Sequence, residues 1–149
     1  MSQTVEQQSE HSMQKQELAV QKKILQVEEK LVQWVEKALK EGKYYNKGEK
    51  KLEESQFRNL LRVAQTTESP EVIKNFLRYQ VGRDEKWGRG EGSLAEKIID
   101  DIDCSIQEQA ASIQTQTSHK SLNEIWIRLI RLYLGYGQRR LVYLNSLAK

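Results

Sequence analysis

Val20, Ile24, Val27, Leu31, Trp34 and Ala38 follow one another at spacings of four and three. That period lines one face of an α-helix. It predicts a long amphipathic helix over about 17–41, with Gly42 as the C′ residue that ends it. Residues 1–16 hold no such period. They are expected to form a flexible arm or a frayed helix start ahead of one helical domain over 17–149. KYYNKGEKK, residues 43–51, reads as a basic, turn-rich loop. Phe57, Leu60, Leu61 and Ala64 then mark a short helix over about 53–66, with Arg58 and Arg62 together on another face. Ser69-Pro70-Glu71 starts a third helix over about 70–82. Ser is a favoured N-cap, Pro suits the first helical position, and Glu suits the positive end of the dipole. Ile73, Phe76, Leu77 and Val81 face inward, and Lys74 and Arg78 lie one turn apart on the other side.

GRDEKWGRGEG, residues 82–92, has 4 Gly in 11 residues and reads as the most flexible segment. It carries Arg83, Lys86, Trp87 and Arg89, with Trp87 free to stack on a base or a partner. Ser93-Leu94-Ala95-Glu96 is a capping box that starts a fourth helix through about Ser112. Its apolar stripe is Leu94, Ile98, Ile102, Ile106 and Ala110. Ser121-Leu122-Asn123-Glu124 is a second capping box. The helix it opens is apolar over most of its circumference, from Leu122 to Leu134, and so is expected at the centre of a bundle. Its one polar stripe holds Glu124, Arg128, Arg131, Gly135 and Gln138. Gly135 and Gly137 are expected to end or kink it, with more helix in the tail. The fold class is therefore all-α, a single-domain bundle of about five helices without strands or a fixed repeat.

Composition agrees: the 149 residues include only 8 Gly and 1 Pro, few for a chain rich in turns. One Cys excludes an internal disulfide, and two His make a His-based site implausible. No apolar run approaches the ~18 residues of a membrane span, and the polar N-terminus does not read as a signal peptide. A cytoplasmic location is expected. The net charge of +3 conceals a pattern. Residues 1–49 balance, with 8 basic and 8 acidic side chains. Residues 50–90 carry 9 and 6, residues 91–117 carry 1 and 6, and residues 118–149 carry 6 and 1. Two basic blocks thus flank an acidic one. One reading is a bundle whose acidic helix pairs with basic neighbours; the other is a dipolar molecule with a polyanion face and an acidic partner face.

Catalytic chemistry finds little support. Asp100, Asp101 and Asp103 read as a solvated acidic face, because helix neighbours one apart do not face each other. Cys104 reads as a structural thiol within a helical pattern, and His119 as a solvent-exposed loop residue. GRGEG lacks the Gly-Lys-Ser/Thr ending of a phosphate-binding loop, although its amides precede a helix. No catalytic residue, metal site or cofactor is expected. The basic sets are more telling. Arg58 with Arg62, Lys74 with Arg78, Arg83 with Lys86 and Arg89, and Arg128 with Arg131 lie off the apolar faces. Arg, whose planar fork suits phosphate oxygens, predominates. A solvated, salt-bridged helix face is the usual fate of any one pair alone; together, on adjacent helices, the sets point more strongly to nucleic acid.

Three segments, in order, resemble the small subunit of type III CRISPR–Cas effector complexes. They are ESQFRNLLRVAQ (54–65), IKNFLRYQVGRD (73–84) and WIRLIRLYLGYG (126–137). The resemblance implies a non-catalytic five-helix bundle. Several copies would stack beside the guide-bearing subunits and the large subunit, and contact the backbone of the duplex between guide RNA and target RNA. Carried over by position, Arg58, Arg78 and Arg83 sit inside the shared motifs, with Arg62 and Lys74 adjacent; Arg128 and Arg131 come from their stripe. The long N-terminal helix, the Gly-rich loop and the extension past Tyr136-Gly137 depart from the pattern. They leave type III-D and type I-D relatives open, and in the latter the target would be DNA. The competing readings are a helical protein–protein scaffold without nucleic-acid contact and, least favoured, a small nuclease.

Overall fold

A computed structural model of the chain describes residues 4–42 and 52–147; the basic loop expected at 43–51 lies outside them. The described residues form helices and turns without a strand, an all-α bundle. In order they are α1 (Val5–Glu41), α2 (Glu54–Thr66), α3 (Pro70–Arg83), a 3₁₀ turn (Glu85–Trp87), α4 (Leu94–Asp101), a π turn (Ile102–Ile106), α5 (Gln107–Thr117) and α6 (Leu122–Leu147). The π turn joins α4 and α5 into one rod, so five rods make the bundle.

Helix α1 starts at Val5, about twelve residues earlier than its apolar period predicts. The cause is a capping box: the Gln7 amide donates to Thr4 Oγ1, and the Thr4 amide donates to Gln7 Oε1. The expected arm at 5–16 is therefore helix. Residues 5–15 are exposed all round, and Gln16 makes the first tie, donating through Nε2 to Thr117 O and Ser118 O at the end of α5. Beyond it Val20, Ile24, Val27, Leu31 and Val35 are buried. Gly42 does end α1, but with φ −74 rather than the left-handed conformation expected of a C′ glycine. Its smallness serves packing instead, because a Cβ there would stand 2.6 Å from Leu94 Cα.

Helix α6 is the central rod, packed on α1, α2 and α5. It runs unbroken through Gly135 and Gly137, contrary to the expected break. Gly137 sits where three helices meet: an added Cβ would lie 2.6 Å from Phe57 Cζ and 2.7 Å from Val35 Cγ2. The fourth rod runs to Thr117 rather than Ser112, and its π turn has a sequence cause. Leu94, Ile98, Ile102, Ile106 and Ala110 are spaced by four throughout. In an α-helix each such step drifts by about 40°. A wider turn takes up that drift, and all five residues stay buried. Trp126 Nε1 donates to Ile102 O at 2.8 Å, satisfying a carbonyl at the turn.

Candidate nucleic-acid interface

The α2–α3 hairpin carries most of the candidate cations, and both of its ends are fixed. Ser69 caps α3 by accepting from the Val72 amide, with Pro70 at the first helical position. At that end Asn123 Nδ2 donates to Glu68 O at 2.6 Å. Arg131 Nε donates to Ala64 O at 2.8 Å and Nη2 to Thr67 O at 3.0 Å. A cation thereby covers the carbonyls at the negative end of α2. At the other end Gln56 Nε2 donates to Asp84 Oδ2, and Lys86 Nζ pairs with Glu53 at 2.9 Å. This antiparallel register sets Arg58 and Arg62 at the levels of Arg83 and Arg78.

The nine basic candidates fall into two groups. Arg58, Arg62 and Arg78 are exposed and have no partner among the described residues. Arg83 is exposed with its guanidinium 5.5 Å from the Tyr79 ring centroid, and exposed Arg89 donates to Val81 O. The other four are engaged internally. Lys74 is not on an outer face: it is 5% exposed, with Nζ 2.7 Å from both Asp103 and Glu71. Burial opposes its charge, but the hydrogen bonds to those carboxylates outweigh that and hold its pKa above the ordinary value. Lys86 is half-buried, and its ion pair with Glu53 leads the causes that raise its pKa. Arg128 pairs with Glu17 of α1 at 2.9 Å, and Arg131 serves the α2 terminus. The two arginines of the α6 stripe are thus spent on its neighbours.

Other expectations shift as well. Trp87 does not wait in a flexible loop. It is fully buried against Phe57, ring centroids 5.8 Å apart, so it anchors the Gly-rich segment to α2 and offers no face to a base. Gly88, Gly90 and Gly92 have positive φ and carry the chain around it. The cleft beside this segment, of about 490 Å³, includes Lys86, Arg89 and Lys97 but also Glu41 and Glu91. Lys97 pairs with Glu41, and Ser93 Oγ already accepts from the Glu96 amide. An anion finds no unpaired positive cradle there.

The acidic block is partly internal. Asp101 Oδ2 accepts from the buried Tyr133 hydroxyl at 2.6 Å, and Asp103 holds Lys74. Burial pushes the Asp101 carboxyl above its ordinary range despite that hydrogen bond. Cys104 is exposed, because it stands two residues from both Ile102 and Ile106 and so lies opposite the buried stripe. His119 is half-buried: its Nδ1 accepts from the Ser121 amide, and Nε2 lies 3.3 Å from Glu124. It thus replaces the Glu124 half of the second capping box. Among the described residues no group of three or more His, Cys, Asp or Glu is placed to hold a metal ion.

The sequence reading missed Tyr79, which is exposed on α3 next to Arg78 in the chain and beneath the Arg83 guanidinium. Its signal was present, since position 79 falls off the inward stripe of Ile73 and Leu77. No family model matches the chain, and no curated protein or solved structure is significantly similar to it.

Proposed function

We propose that this chain is a non-catalytic small subunit of a CRISPR–Cas ribonucleoprotein effector complex in the cytoplasm. Several copies would stack along the guide–target duplex, beside the backbone and large subunits, and grip the nucleic-acid backbone with the outer α2–α3 face. One observation carries the polyanion part of this reading: residues 55–66 and 72–83 contain no Asp or Glu, yet they expose Arg58, Arg62, Arg78 and Arg83. Arg58 and Arg62 stand four apart, a spacing at which like charges repel along a helix. Uncompensated cations on two pinned helices suit phosphate oxygens, whatever the sequence of bases. The effector-complex part rests on the three resembling segments. Copurification from the native host tests both. Nucleic acid and larger subunits are expected with the protein, and ultraviolet crosslinks are expected on α2 and α3 peptides. Recovery free of nucleic acid would refute the proposal.

The scaffold reading keeps one observation of its own. Residues 5–15 project as bare helix with Val5 and Met13 exposed, a rod that packs on nothing in its own bundle. Partner subunits recovered with crosslinks absent from α2 and α3 would favour it.

A further inference from the structure

We infer that Tyr79 is a base-stacking residue, so that the α3 face takes an unpaired nucleotide of a single-stranded polynucleotide. The inference rests on the polyanion reading of the α2–α3 face and adds to it the form of strand bound. Tyr79 is 55% exposed in the body of α3, with Phe76 and Arg83 as its ring neighbours. Its surroundings are not random. Val72, Phe76, Tyr79 and Arg83 share one helical face, at spacings of four, three and four. Phe76 steadies the ring from one side, centroids 6.5 Å apart at 45°. Arg83 reaches over it from the next turn. Arg78 adjoins it in sequence and has no partner among the described residues.

This set has the two parts that single-strand recognition uses: an aromatic platform for a base and cations for the flanking phosphates. The guanidinium of Arg83 is itself planar, and it can leave the ring for a phosphate as a base takes its place. A regular duplex uses only half of the set, because its bases are stacked on one another and only phosphates and sugars face outward. An acidic peptide would likewise engage the arginines and leave the ring idle. The exposed ring, the arginines beside it and the pinned hairpin therefore favour a strand with at least one base splayed out.

The test uses the full chain and labelled oligonucleotides: oligouridylate, oligothymidylate and a blunt RNA duplex, read by fluorescence anisotropy. Tyr79→Ala should weaken both single strands by about tenfold, the order expected for one lost stacking contact. Tyr79→Phe should keep wild-type affinity, since it keeps the ring. Duplex affinity should be the same in all three proteins, as should the melting midpoint. Loss only on RNA would assign the subsite to RNA, and equal loss on both single strands to either backbone. Unchanged single-strand binding by Tyr79→Ala, with binding abolished by Arg58→Glu and Arg78→Glu, would overturn the stacking role and leave the polyanion face standing. Failure of the wild-type chain to bind any of the three would overturn both.

Discussion

Replacing Arg58, Arg62 and Arg78 together with Ala separates the free cations from the internally used ones. Each phosphate contact releases condensed counterions, so log K falls with log salt by about 0.7 per contact on a single strand. Of the nine candidate side chains, Arg58, Arg62, Arg78, Arg83 and Arg89 are exposed. Five contacts give a slope of about −3.5, and a loss of roughly a hundredfold in affinity between about 50 and 200 mM salt. The triple variant keeps two contacts and a slope of about −1.4, roughly sevenfold over the same interval. All nine acting would give about −6.3. The difference of about 2.1 between the two proteins does not depend on cations elsewhere, such as Arg139. Anisotropy titrations of oligouridylate over a salt series measure both slopes. Arg128→Gln is the control, because Arg128 is paired with Glu17; its slope should equal the wild type's. The triple variant should also melt no lower, since it relieves the Arg58/Arg62 repulsion and adds Ala to helices. A wild-type slope in the triple variant, or a slope lowered by about 0.7 in Arg128→Gln, would refute the division into free and engaged cations.

Two glycines one turn-fraction apart should respond with opposite sign. Gly137→Ala drives a Cβ against Phe57 and Val35, at about 1–3 kcal/mol for overpacking less up to ~1 kcal/mol of helix propensity; the melting midpoint should fall by several degrees. Gly135→Ala meets nothing within 4 Å and should raise the midpoint; a fall there would show that the helix does need a glycine at 135. Asp101→Asn keeps an acceptor for Tyr133 while removing a charge that burial disfavours. A carboxyl whose folded pKa is raised loses stability as pH climbs from its ordinary value of 3.8 through the raised one. The Asn variant lacks that loss, so it should melt at or above the wild type at pH 7, with its advantage shrinking towards pH 4. An advantage that grows on acidification would contradict the sign.

Much of the fold lay in periodicity. The inward stripes of α1, α2 and α3 could be read directly, because one face of each meets the core and the other meets water. The misses arose where a different signal ruled. Helix α1 begins at a cap formed by Thr4 and Gln7, which no apolar count detects. The π turn was written in the strict four-residue spacing of Leu94 through Ala110, a drift that a straight helix cannot absorb. Gly42 and Gly137 look like helix breakers in one dimension, yet each answers to an atom far away in the chain. The site was less legible for a related reason. Arg62 and Arg131 are both off-stripe residues on helices, and the sequence does not say which one meets the end of a neighbouring helix. Trp87 in a run of glycines suggests a mobile ring, but a buried indole can itself be what makes such a run adopt one path.

The engaged cations bear on binding without touching a ligand. Arg131 ties the end of α2 to α6, Lys86 ties its start to the segment after α3, and Lys74 ties α3 to the π turn. Together they hold Arg58, Arg62, Arg78 and Tyr79 on one rigid support, which lowers the ordering cost of binding. Arg131→Ala therefore makes a separable prediction. It removes charge-assisted bonds to Ala64 O and Thr67 O, which should cost about 2 kcal/mol and lower the melting midpoint by ~4–8 °C in a chain of this size. Affinity for oligouridylate should drop at every salt concentration while the salt slope stays at the wild-type value, because the phosphate contacts are loosened but not reduced in number. A slope reduced by about 0.7 at an unchanged midpoint would mean the reverse: Arg131 would then be a phosphate contact, and the hairpin would hold its shape without it.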